Sequence, residues 1–99
     1  MTEEHAPGAF DPGLPEIAIL GRDTCEDTIR SRGHLHVRGI PYVYHNVELD
    51  PVADAWNRSF NDGERVTPVI LIGDPRRPSA VLIEPSDEAL DAAIAGAAA

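Results

Sequence analysis

Two apolar runs with no polar break, Ile17-Ala18-Ile19-Leu20 and Val69-Ile70-Leu71-Ile72, constrain this chain more than any other feature. A short continuous apolar run reads as a strand buried on both faces. Two such runs mark the two central strands of a sheet covered by helices on either side. The segments around them supply the rest. Residues 26–38 read as a helix that Gly39 stops, with Pro41 just beyond. Its apolar residues Ile29, Leu35 and Val37 make no clean stripe, and Gly33 weakens it.

Tyr42 to Val47 is rich in strand formers of mixed polarity, which suits an edge strand. Asp50-Pro51 is a strong helix start, a capping carboxylate followed by proline at the first position. Val52, Trp56 and Phe60 recur at i, i+4 and i+8 and predict the buried face of that helix, which Asn61-Asp62-Gly63 ends. Ala80 to Ile83 reads as a strand returning beside Val69–Ile72 after a Pro-containing turn, so this pair is antiparallel. Ser86 caps a last helix whose apolar face is Ala89, Leu90, Ala93 and Ile94 and which Gly96 ends. The predicted order is strand–helix–strand–helix–strand–strand–helix: a four-stranded mixed α/β sheet with three helices. Residues 1–15, with three prolines and two glycines, are expected to be a disordered tail; residues 96–99 are expected to fray. The domain proper is 16–95.

Composition excludes several function classes. Eight basic residues, all arginine, face 17 acidic ones, and a net charge of −9 repels phosphate backbones, so no nucleic-acid partner is expected. No apolar run approaches the ~20 residues of a membrane helix. The acidic start has no apolar segment of a secretory signal, so the expected address is the cytoplasm. A single cysteine, Cys25, builds no internal disulfide and no thiolate zinc cluster. His34 and His36 stand two apart on a helix, a poor metal pair, and no metal site is expected. A monomer is expected, with the Tyr42–Val47 edge as the one candidate for pairing.

Three features carry candidate chemistry. Cys25 lies between the first central strand and the first helix, at the sheet edge where ligands bind in open α/β folds. A thiol at a helix N-terminus is favoured as thiolate by the dipole and the free N–H groups. Arg22 adds positive charge, while Asp23, Glu26 and Asp27 oppose it. Thr67-Pro68 enters a central strand, a place where proline needs the strand start or a special geometry. Ser86-Asp87 opens the last helix, where free N–H groups either bind a carboxylate or are simply capped.

Taken in order and without a gap, these segments resemble a glutaredoxin, closest to the mycoredoxin-like branch found in actinobacteria. The resemblance spans about residues 16–95 and rests on Cys25, Leu35, Gly39-Ile40-Pro41-Tyr42, Val47-Glu48-Leu49-Asp50-Pro51, Asn61-Asp62-Gly63, Thr67-Pro68-Val69 and Glu84-Pro85-Ser86. It implies a thioredoxin-like fold. It also implies that Cys25 attacks mixed disulfides between proteins and a low-molecular-weight thiol, glutathione or mycothiol, taken as co-substrate and not tightly bound. Arg22 would hold a carboxylate of that thiol. Val66, Thr67 and Pro68 would pair with its peptide-like part, and Ser86 and Asp87 with its remaining polar end.

The chain departs from the family in two places. The site reads Cys25-Glu26-Asp27-Thr28, where the family has Cys-Pro-Tyr-Cys or Cys-Gly-Tyr-Cys. Thr28 replaces the resolving cysteine and becomes a hydrogen-bond donor to the thiolate, so only a monothiol cycle is open. The family's Thr-Val-Pro is Val66-Thr67-Pro68 here. The acidic pair beside Cys25 keeps a second reading in play: a redox-inactive binding module that uses the same edge for a protein partner.

Overall fold

A computed structural model describes residues 3–5 and 13–97 of the chain. The two apolar runs become adjacent antiparallel strands at the centre of one sheet. Strand β2 (Ile17–Gly21) and strand β4 (Val69–Ile72) are buried along their whole length. Ile17 lies opposite Ile72, and Leu20 opposite Val69. Strand β3 (Val43–Asn46) runs parallel to β2 on its other side, and β5 (Ala80–Ile83) runs antiparallel to β4. The helices are α1 (Glu26–Val37), α2 (Pro51–Ser59) and α3 (Asp87–Ala97).

Alternation along the strands divides the core into two layers. Ile17, Ile19, Ile70 and Ile72 pack with Leu35 of α1 and with Leu90 and Ile94 of α3. Ala18, Leu20, Val69 and Leu71 face the other way, against Ala53 of α2, with Trp56 and Phe60 packed beside them. The α/β architecture with a mixed sheet of β2–β5 and three helices is as the sequence predicts.

Four details differ. A fifth strand, β1 (Glu3–His5), pairs antiparallel with β3 along the edge expected to be open, with Glu3 opposite His45. This strand lies within residues 1–15, the segment expected to be a tail. The unpaired N–H and C=O groups of an edge strand are a ready template for another strand. Residues 1–2 and 6–12 lie outside the described residues. On α2 the face toward the sheet is Ala53, Trp56, Asn57 and Phe60, and Val52 is 77% exposed. The i, i+3, i+4, i+7 set turns inward in place of i, i+4, i+8. Helix α3 continues through Gly96 to Ala97, one residue past the glycine expected to end it; residues 98–99 lie outside the described residues. Finally, α1 buries Thr28, Ser31 and Leu35 while Val37 is 84% exposed. Its inward face is partly polar, which is why no apolar stripe marks it.

The helix boundaries follow their signals. Asp50 accepts hydrogen bonds from the Val52 and Ala53 N–H groups ahead of Pro51. After α1, Gly39 takes a φ of +68°, and the Ile40 N–H returns to the Leu35 carbonyl at 2.9 Å. That left-handed residue and long backward bond close the helix in the way glycine permits. Among the described residues, no helix is long and apolar enough to cross a membrane.

Candidate functional site

Strand β2 ends at Gly21, and a three-residue loop carries the chain to Cys25, the N-cap of α1. The Cys25 N–H donates to the Arg22 carbonyl at 3.3 Å, and the Cys25 carbonyl accepts the first helical bond from Ile29 at 3.0 Å. The sulfur therefore stands over the N–H groups of the first turn. Facing it is the segment that leads into β4. The Thr67–Pro68 peptide bond is cis, and the Cys25 thiol donates to the Thr67 carbonyl at 3.5 Å.

Two threonines flank the sulfur. Thr28 is fully buried beneath Gly21, and its Oγ1 accepts the Arg22 backbone N–H at 3.4 Å. Thr67 Oγ1 accepts the Arg22 Nε–H at 3.3 Å. Partial burial pushes the Cys25 thiol up. Hydrogen bonds from the Thr67 and Thr28 side chains and from the Thr28 and Asp27 backbone N–H groups outweigh it, and the pKa lies below its ordinary value. The acidic pair does not reverse this. Asp27 is held by Arg30, Oδ1 to Nη1 at 2.8 Å, and the same guanidinium donates to the Pro85 carbonyl at 2.7 Å. Half of the negative charge beside the thiol is thus paired and turned toward the start of α3.

An open groove at Cys25 is lined by Arg22, Cys25, Arg65, Val66, Thr67 and Glu84. Four of the predicted site residues, Arg22, Cys25, Val66 and Thr67, meet there, and Thr28 lies buried beside Gly21, outside the lining. Pro68 is buried behind them. Val66 presents no free backbone, because Asn57 takes both groups: its Nδ2 donates to the Val66 carbonyl at 2.6 Å and its Oδ1 accepts the Val66 N–H at 3.0 Å. Ser86 and Asp87 do not line the groove. The Ser86 hydroxyl caps α3 by accepting the Ala89 N–H at 3.1 Å, and Asp87 lies against Arg30 and His34 of α1. Ser86 thus serves the cap of α3, and Asp87 the α1–α3 junction.

Arg65 and Glu84 were not foreseen. Arg65 reaches the groove from the loop after α2, anchored by Asp54 at 2.8 Å. Its place next to Val66-Thr67 was the signal available. Glu84 has a φ of +49°, uncommon for a residue with a side chain, and its N–H donates to the Pro68 carbonyl at 2.9 Å. Nothing in the local sequence marks that turn. Among the described residues, no group of three or more His, Cys, Asp or Glu side chains is placed to hold a metal ion. No protein family, curated protein or solved structure matches the chain.

Proposed function

We propose that this protein is a monothiol, glutaredoxin-like thiol–disulfide oxidoreductase on a thioredoxin-like fold. Its substrates are mixed disulfides between proteins and a low-molecular-weight thiol, glutathione or mycothiol. The reading is carried by one observation: a partly exposed cysteine at a helix N-terminus, its pKa lowered, shares a groove with Arg22 and Thr67 from a segment over 40 residues away.

The cycle needs no second cysteine. The Cys25 thiolate attacks the small-thiol sulfur of the mixed disulfide. The protein thiolate leaves and takes a proton, and Cys25 now holds the small thiol in a new disulfide. The thiolate of a second small-thiol molecule attacks that sulfur. Cys25 returns as thiolate, and the symmetric small-molecule disulfide departs. Thr28 stands where a resolving cysteine would compete for the intermediate, and it supports the thiolate instead. Arg22 has two terminal nitrogens beyond the Nε used on Thr67, a fork suited to a carboxylate. The backbone at Thr67 meets the peptide-like part of the thiol. Ser86 and Asp87 have no role in this scheme: Ser86 caps α3, and Asp87 faces Arg30 and His34 of α1. The protein works as a monomer in a reducing compartment such as the cytoplasm, where thiols regenerate it.

The test is turnover of a peptide carrying a mixed disulfide with glutathione, and of one with mycothiol, each with its free thiol as reductant. Release of the peptide thiol by the wild type and none by Cys25→Ser is the expected result. No release from either substrate, with an alkylation midpoint at or above ~8.5, overturns the reading. The binding-module alternative then stands, and Cys25→Ser retains partner binding.

A further inference from the structure

We infer that Glu84 is a specificity-determining residue of the Cys25 groove: its carboxylate takes the ammonium group of a zwitterionic small thiol, and so selects glutathione over the uncharged mycothiol. This deepens the thiol–disulfide reading and rests on it for the identity of the ligand.

Glu84 stands in the left-handed region with a φ of +49°. That conformation suits glycine, and after it the short Asn and Asp, whose side chains bond to the nearby backbone. Elsewhere the chain meets it with Gly39, Gly63 and Gly73 and with Asp62. A glutamate has neither device, so its side chain is kept there against strain. The turn is held by the Glu84 N–H, which donates to the Pro68 carbonyl at 2.9 Å. The side chain is thereby fixed on the wall of the groove that Cys25 shares with Arg22 and Arg65.

Charge identifies the ligand. Glu84 brings the one carboxylate of that lining, against two guanidiniums. Asp54 takes Arg65 Nε at 2.8 Å, and the Thr67 hydroxyl takes Arg22 Nε at 3.3 Å. Among the described residues, the exposed Glu84 carboxylate forms no ion pair with either arginine. The groove therefore offers a ligand both signs of charge, a fork for a carboxylate at Arg22 and an acceptor for an ammonium at Glu84. Glutathione carries both groups, the ammonium on its γ-glutamyl end. Mycothiol carries neither and leaves both side chains without a counter-charge.

The probes are S-methylglutathione, which cannot exchange with a disulfide, and its desamino analogue, with glutaryl in place of γ-glutamyl. Each is titrated by calorimetry into the full-length wild type, Glu84→Gln and Glu84→Gly. Glu84→Gln is expected to weaken S-methylglutathione about fivefold, the scale of one exposed ion pair, and to leave the desamino probe unchanged. Glu84→Gly should show the same loss while its urea midpoint stays level or rises, because glycine relieves the strained turn. Wild-type affinity in Glu84→Gln, an equal loss for both probes, or no binding of S-methylglutathione to the wild type overturns the inference. An effect of Glu84→Gln seen only in turnover of a lysine-containing peptide disulfide, and not with the probes, assigns the ammonium to the protein partner and overturns it too. The probes are read without turnover. The expected affinities in a chain that reduces no mixed disulfide uphold Glu84 and sink only the oxidoreductase reading. Turnover with glutathione and with mycothiol that Glu84→Gln leaves unaltered sinks only the role of Glu84.

Discussion

Asn57 pairs with Val66 as one strand pairs with another. The side-chain amide of Asn57, fully buried on α2, donates to the Val66 carbonyl at 2.6 Å and accepts the Val66 N–H at 3.0 Å. Among the described residues the segment before β4 has no strand partner at this point, and a helix side chain supplies both bonds. Two consequences meet at Cys25. The backbone of Val66 is closed to ligands, and Thr67, the next residue, is held at the fixed distance from which its carbonyl meets the thiol.

Asn57→Leu should therefore destabilise the fold by about 1–3 kcal/mol, because it fills the space but leaves two backbone groups unpaired. Asn57→Asp should cost more at neutral pH, since a carboxylate oxygen would face the Val66 carbonyl. Urea midpoints of both variants check this. A chain in which Asn57→Leu is neutral would show that water replaces the amide.

Gly21 is a matter of space. A Cβ there would lie 2.6 Å from Thr28 Cγ2 and 2.7 Å from Thr28 Oγ1, closer than real contacts. Gly21→Ala is expected to cost about 1–3 kcal/mol through overpacking and to raise the Cys25 alkylation midpoint by displacing the Thr28 hydroxyl. In a Thr28→Ala background the same substitution should cost clearly less, since the clashing atoms are gone. Equal cost in both backgrounds would place the strain elsewhere.

Legibility from sequence followed the range of the interaction. The central strands were plain because Ile17–Leu20 and Val69–Ile72 are apolar on both faces, and Asp50-Pro51 marked α2 because capping is local. Helix α1 is readable only from its stop, since it buries Thr28 and Ser31 where an amphipathic helix carries apolar residues. Strand β1 left no composition signal because backbone bonding to the β3 edge needs no particular side chain. At the site, Cys25 and Thr67 were nameable from position. The bond from Arg22 to Thr67, the Asn57 clasp on Val66 and the arrival of Arg65 were not, because each joins segments that are distant in sequence or uses a polar residue that reads locally as solvated.

Arg30 pairs with Asp27, one of the two acidic residues after Cys25. It binds Asp27 at 2.8 Å, the Pro85 carbonyl at 2.7 Å, and lies 3.5 Å from Asp87. In Arg30→Met the stem remains and the charge is lost, leaving Asp27 uncompensated in the first turn beside the thiol. The alkylation midpoint of Cys25 should rise by a few tenths of a pH unit, the scale of an exposed pair worth ~0.2–1 kcal/mol. Adding Asp27→Asn should bring it back. A midpoint that stays at the wild-type value in Arg30→Met would mean that the Asp27 charge never reaches the sulfur.

Asp54 sets the acid limit of the groove wall. Its Oδ1 takes Arg65 Nε at 2.8 Å and its Oδ2 takes Arg58 Nε at 3.1 Å. The bond from Arg65, opposed by burial and aided by Arg58, holds its carboxyl below the ordinary carboxylate value. A carboxylate whose folded pKa is depressed stabilises the fold fully above its unfolded value of ~3.9, and loses that contribution as pH falls through the folded value. Asp54→Asn should thus be less stable than wild type at pH 6–7, with the gap closing as the pH drops below ~4. Because the arginines are partly exposed, 1 M salt should shrink the gap at neutral pH as well. Urea midpoints over a pH series read both effects. A gap that is constant from pH 7 to pH 3 would show that the asparagine costs packing and that the two arginines do not depend on the Asp54 charge.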